Sequence, residues 1–392
     1  MNLPRTLTVL AVLTLAGAAP ALAQVERCVR TAAEFSSAWL VADDDAVIIK
    51  MAAGTYDLAG SAIDRSAAVA VDDDVTIRGG YNSNCSSRSE DPGATVLTHG
   101  GGGDLELVTT KSALQGNGFL HIERLTFRAI GRIRVSVEHE MTPDSHLTLS
   151  RVWLDQSGSI EVAAAAEVFV DSSLFTRSGA CPLRLGSRLQ PNGQPGTTYL
   201  DRVRVRGSTF AGNAGPGLCV GRPDYEENDW RLDLVNSLFW DNGGVDIRLD
   251  NQGVASIDAV LRNNLYTGLQ SGRALRTTPT GTLSGNPLFV NAAAADWRLQ
   301  GASPAINTGR IDVNQLGEAD FDGNPRWFGA APDRGAFESA IGSTATVLTV
   351  TNANDAGPGS LRQALIDANA AANLNIIRFN IAGACPRTIT LA

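Results

Sequence analysis

The phrase IERLTF (122–127) recurs as LSRVWL (149–154), VDSSLF (170–175), VRGSTF (205–210), LVNSLF (234–239) and LRNNLY (261–266). Its first position is always aliphatic and its last is Phe, Tyr or Leu. Another apolar residue stands two places before each copy (Leu120, Leu147, Val168, Val203, Leu232, Ala259). Each copy is thus entered by an apolar-x-apolar step, the mark of a strand with one buried face. The copies start 27, 21, 35, 29 and 27 residues apart, and a Gly-containing turn follows each. A strand-bearing unit of this period cannot bury its apolar side chains alone, so the phrase predicts one coil of an all-β solenoid per copy.

Toward the N-terminus, Thr31-Ala-Ala-Glu34 has the spacing of a capping box. It predicts a helix from Ala32 to about Ala42, with Phe35, Trp39 and Leu40 on its apolar side. Such a helix would cover the open end of the first coil, which otherwise exposes unpaired edges. Strands at 47–51 and near 69–78 and 95–109 complete the first coils. The two longest intervals between phrases contain GSRLQPNGQPGTT (186–198) and GRPDYEEND (221–229), loops of the kind in which binding function is housed.

Residues 1–23 read as a signal peptide: Arg5, an apolar run from Leu7 to Ala16, and Ala21-Leu-Ala23. No later segment is apolar enough to span a membrane. Cleavage after Ala23 removes one arginine and leaves 31 basic residues against 41 acidic, a net charge of −10 against −9 for the whole chain. That balance argues against nucleic acid as a partner. In an oxidising compartment the 5 cysteines favour disulfides. Cys181 and Cys219 each follow a glycine by two residues in successive coils, where stacked strands lie about 4.8 Å apart. They are expected to pair, as are Cys28 and Cys85, which leaves Cys385 over.

Residues 283–338 abandon the phrase for turn-dense motifs: GNPLFVN (285–291), DWRLQ (296–300), SPAINTG (303–309), ADFDGNPR (319–326) and PDRGAFE (332–338). Together with the coils before them, these resemble the end of right-handed parallel β-helix proteins of bacterial surfaces, with a fold like that of pectin lyases. The segment looks like their choice-of-anchor Q domain. After a linker at 339–347, residues 348–392 again run strand, capping box (Ser360 to Gln363), helix to about Ala372 and strand (376–381). Ser360-Leu-Arg-Gln-Ala364 resembles the SLREA-like phrase of another β-helix of that kind. The implied architecture is a single-stranded right-handed parallel β-helix over 24–282, capped by a short helix. The start of a second, incomplete β-helix with its own cap helix follows, its terminal edge open to missing sequence or a partner.

Candidate chemistry is sparse. The column at the third phrase position holds Arg124, Arg151, Ser172, Gly207, Asn236 and Asn263, and the stacked asparagines are expected to form a ladder. Arg124 above Arg151 requires an anion or an acidic neighbour such as Glu123 or Asp171. Asp241, Asp246 and Arg248 are the candidates if the chain is an enzyme, with Trp240 a platform for a sugar; the other reading is a core-side Trp beside solvated turn Asp residues. Asp320-x-Asp322-Gly323, with Asp333, has spacing that can wrap calcium, the one cofactor suggested; capping of turns by Asp is the alternative. The four histidines (His99, His121, His139, His146) are expected as strand and turn residues.

The expected role is a secreted or cell-surface module, adhesin-like or contacting a polysaccharide or host glycan, without catalysis. The alternatives are a polysaccharide lyase or glycoside hydrolase of the pectin-lyase-like fold, and a structural spacer. Catalysis would need a cleft of converging Asp and Arg side chains, adhesion an exposed aromatic or polar stripe, and a spacer neither.

Overall fold

The computed structural model describes residues 25–391, apart from 43–45, 67, 72–73, 112–117, 140–144, 187–199, 223–229, 252–256, 272–278, 313–317, 328, 341–345, 371–374 and 383–387. The expected signal peptide, the bulk of both long loops and Cys385 lie outside the described residues.

Nine strands follow one another across a long sheet in chain order: Val25–Val29, Val47–Ala52, Val75–Tyr81, Gly118–Arg128, Ser145–Asp155, Glu167–Asp171, Arg202–Arg206, Trp230–Val235 and Ile257–Arg262. Every pairing along this path is parallel. A second sheet of seven strands runs from Leu105–Lys111 to Leu269–Ser271, also in chain order. A third face is made by the short parallel strands Leu174–Thr176, Thr209–Ala211 and Leu238–Trp240. The chain therefore visits the same faces once per coil, and the protein is an all-β parallel solenoid whose coils share one core running along their interior.

Each position of the phrase has one job. The first points inward and is buried in all six copies. The second points outward from the long sheet. The third turns the corner in the left-handed backbone region: φ is 54° at Arg124 and Arg151, 48° at Ser172, 47° at Gly207, 53° at Asn236 and 50° at Asn263. The fourth is apolar in the first two copies (Leu125, Val152) and carries a polar ladder inside the bend in the last four. Ser173 Oγ accepts the Val152 amide, Ser208 Oγ that of Ser173, Ser237 Oγ that of Ser208, and Asn264 Oδ1 that of Ser237. These amides belong to the corner, so without the ladder they would be buried unpaired. The sixth position fills the core, where Phe175, Phe210 and Phe239 stack 4.6 Å apart with planes 3° from parallel.

The expected ladder therefore exists one residue away from the asparagines assigned to it. Asn236 and Asn263 instead face outward at the corner and hold the backbone of the segment that follows the coils: Asn236 Nδ2 donates to the Arg310 carbonyl at 2.9 Å, and Asn263 Nδ2 to that of Thr308 at 3.1 Å. That segment does not continue the stack. It folds back along the corner of the coils and covers the fifth phrase positions, so that Leu174, Leu238 and Leu265 form a second core with Phe289, Trp297, Leu299, Phe321 and Phe337. A side chain at a left-handed corner projects away from the core, which suits it to grip a crossing chain.

The first helix spans Ala32–Leu40; Thr31 Oγ1 accepts the Glu34 amide at 3.1 Å, the forward half of the capping box, while Glu34 Oε2 accepts the Arg30 amide at 2.6 Å, one residue before the cap. Phe35 and Trp39 are fully buried, but Leu40, expected beside them, is 47% exposed because the helix ends there. The second helix is described over Leu361–Ala370, its expected end near Ala372 lying outside the described residues; Ser360 Oγ accepts the Gln363 amide at 3.1 Å, and parallel strands Thr346–Val350 and Asn375–Phe379 flank it. Both expected disulfides are present: Cys28–Cys85 ties the first strand to the turn after Tyr81, and Cys181–Cys219 ties successive coils, with Cα separations of 5.8 and 6.3 Å.

Candidate functional site

The outer face of the long sheet carries an ordered array of polar and aromatic side chains. Parallel in-register pairing stacks its outward residues into rows along the solenoid. One row reads Arg78, Glu123, Ser150, Asp171, Arg206. The next reads Thr76, His121, Thr148, Phe169, Arg204, Asp233, and a third Phe119, His146, Glu167, Arg202, Arg231. At the centre, Ser150 and Thr148 are short, whereas both neighbouring strands carry larger residues: Glu123 and His121 on one side, Asp171 and Phe169 on the other. The sheet thus presents a shallow trough with a polar floor.

Flat groups run from the third row into the second. The Phe119 and His146 rings stack at 4.8 Å, His146 and Phe169 at 6.5 Å, and the Arg204 guanidinium lies 4.4 Å from the Phe169 centroid. His146 Nδ1 lies 3.0 Å from the Glu167 carboxylate, and Phe119 is 42% exposed.

The carboxylates beside the trough are bound by arginine. Glu123 lies 2.8 Å from Arg88, 3.4 Å from Arg78 and 3.3 Å from Arg124. Burial works to raise its carboxyl, but the charge and hydrogen bond of Arg88, with His121 and Arg124 beyond, hold it below the usual range. Asp171 accepts from Arg206 at 2.7 Å and lies 3.5 Å from Arg204. Burial and the neighbouring Arg78 and Arg88 push the His121 imidazole down despite Glu123, and its Nε2 is shielded from solvent without a hydrogen-bond partner.

The acidic neighbour that reconciles Arg124 with Arg151 is neither Glu123 alone nor Asp171. Glu90, from the loop after Arg88, spans both: Oε1 lies 2.9 Å from Arg124 and Oε2 2.6 Å from Arg151.

The residues singled out in the sequence are dispersed. Asp246 is buried and caps the next turn, accepting from the Thr267 amide and hydroxyl at 2.7 and 2.9 Å and from Asn242 Nδ2 at 2.9 Å. Arg248 points outward from the second sheet, and Asp241 is an exposed corner residue with φ of 53°. Trp240 packs against the second core rather than standing as an open platform. Asp320 and Asp333 are buried and spend their oxygens on backbone amides: Asp320 accepts those of Asn324 and Glu338 at 2.6 and 2.8 Å, and Asp333 those of Asn307 and Ser339, both at 2.7 Å. Asp322 is exposed. Among the described residues no three His, Cys, Asp or Glu side chains converge as a metal requires.

The outer face escaped sequence reading because its residue types vary from coil to coil. The signal was positional: the second phrase position, with the residues two and four before it, marks this face in every copy.

No family model matches the chain, and no curated protein matches it in sequence. Among the described residues, no helix is long and apolar enough to cross a membrane.

Proposed function

We propose that this protein is a secreted or cell-surface right-handed β-helix module that contacts a polysaccharide or host glycan through the outer face of its long sheet. The observation that carries this reading is the row of stacked flat groups, Phe119, His146, Phe169 and Arg204, beside a trough floored by Ser150 and Thr148. Sugars present weakly apolar C–H faces ringed by hydroxyls. Aromatic rings with nearby hydroxyl, carboxylate and guanidinium groups answer both parts. The repeat of about 4.8 Å between strands lets one polymer meet several coils in succession. Secretion is favoured by the likeness of residues 1–23 to a signal peptide and by two disulfides, and the likeness of 283–338 to a choice-of-anchor segment favours the cell surface.

A binding role is favoured over catalysis. A general acid must carry a proton at working pH, but Glu123 is held ionised by three arginines. A general base must reach its proton, but His121 Nε2 is shielded. The test is retention of the purified chain on a panel of immobilised neutral and acidic glycans, with product analysis in solution. Retention that is lost in Phe169→Ala and Arg204→Ala, and kept in Arg184→Ala on the second sheet, supports the reading. Retention on no glycan overturns it in favour of a spacer, and release of unsaturated or reducing ends overturns it in favour of a lyase or hydrolase.

A further inference from the structure

We propose that the described residues of 305–312, 318–327 and 329–338 form a strap that fastens to the coils more firmly in mildly acidic than in alkaline medium, its lock being the buried group of Asp320, Asp333, Glu338 and Arg326. The strap crosses the corner in the reverse order of the coils. Asn263 holds Thr308 and Asn236 holds Arg310, as described above. Arg206 then meets Glu318 at 2.8 Å, Ser172 Oγ donates to the Ala319 carbonyl at 2.9 Å, and Arg151 Nη2 donates to that of Phe321 at 3.0 Å. The chain then turns and comes back, where the Gly335 amide donates to the Asn236 carbonyl and the Ala336 amide to Thr209 Oγ1, both at 2.8 Å.

Arg326 ties the two passes together. It is 1% exposed, donates to the carbonyls of Asp333, Gly335 and Ala336, and lies 3.6 Å from Glu338 Oε1. Its partner carboxyls each accept backbone amides of the strap, Glu338 taking that of Asp333 at 3.0 Å. From the coils beneath, Gly207, Thr209 and Asn236 bring no charge. A Cβ on Gly207 would fall 2.3 Å from the Arg326 guanidinium. The nearest coil arginines are engaged, Arg206 with Asp171 and Glu318 and Arg151 with Glu90 and the Phe321 carbonyl. Within the strap, Arg334 turns to the carbonyls of Thr308, Asn264 and Gly281, while Asp322 adds negative charge beside Asp320 with Arg298 beyond it. Three buried carboxyls therefore surround one guanidinium, Glu338 within ion-pair reach of it and Asp320 and Asp333 feeling its charge from further off.

Such a group keeps a proton that water would remove. Burial raises the Asp333 carboxyl to about 6, that of Glu338 well above its ordinary value, and that of Asp320 upward too. A carboxyl raised in the fastened state favours that state fully below its ordinary value of about 4, and the advantage fades as pH rises through the raised value. The lock therefore loosens between about pH 4 and the region above 6.

The test is hydrogen–deuterium exchange of the full chain near pH 5.5 and pH 8, corrected for intrinsic rates, comparing amides of 319–338 with those of the 147–154 strand. The expected result is a loss of protection in 319–338 of at least about tenfold at the higher pH, the change one unit of pKa difference produces, with the strand unchanged. Glu338→Gln, which cannot ionise, is expected to flatten that dependence. Equal protection at both pH values in the parent overturns the proposal, as does a pH-dependent loss that persists undiminished in Glu338→Gln.

Discussion

At the residue scale, the corner of each coil sets the tightest demands. Gly207 occupies a left-handed backbone at φ of 47°, and the space a Cβ would take is filled by Arg326. Neighbouring coils place Ser172 and Asn236 at the same corner, so the backbone alone does not require glycine; the guanidinium above it does. Gly207→Ala is expected to lower stability by about 1–3 kcal/mol through strain and displacement of Arg326, read as a fall in denaturation midpoint. Phe210 sits between Phe175 and Phe239 in the core stack. Phe210→Ala is expected to cost about 3–5 kcal/mol, and conservative Phe210→Leu visibly less, in the same measurement. The inward aromatic column was legible because its residue type repeats in the phrase. The gripping role of Asn236 and Asn263 was not, because a hydrogen bond to a chain more than forty residues away leaves no local pattern.

At the element scale, capping boxes mark both helix starts, since an N-cap hydroxyl serves an amide three residues on wherever the helix lies. Thr31→Ala is expected to cost about 0.5–2 kcal/mol. Because Phe35 and Trp39 on that helix close the first coil, the loss should appear in thermal melting of the whole solenoid rather than as local fraying. The helix ends were less legible: Leu40 matches the apolar spacing yet points to solvent at the last turn. The Cys28–Cys85 link closes a long loop at the same end. Replacing both cysteines by serine is expected to remove about 2–4 kcal/mol, whereas the Cys181–Cys219 pair, between coils already paired on both sides, should matter less than the first. Comparing the two double variants by denaturant titration checks that order.

At the scale of the whole molecule, the period of the phrase was enough to read a stacked solenoid, because apolar side chains of successive coils can be buried only by one another. The return of 305–338 along the corner was not readable. Turn-dense sequence declares that a coil has ended and is silent on where the chain goes next. The outer face lies between these cases: its residues are visible in the sequence, but only the register brings Phe119, His146, Phe169 and Arg204 into one run. That register is the ground on which the functional reading stands. It is tested most directly by oxidative cross-linking of paired cysteines, followed by mass spectrometry of the unreduced chain. Thr148 and Phe169 are direct outward neighbours in adjacent strands, so Thr148→Cys with Phe169→Cys is expected to form a disulfide. Thr148→Cys with Val170→Cys, which places the second sulfur inside the core, should not. Cross-linking of the second pair in preference to the first would contradict the register, and with it the face on which the proposed glycan contact is built.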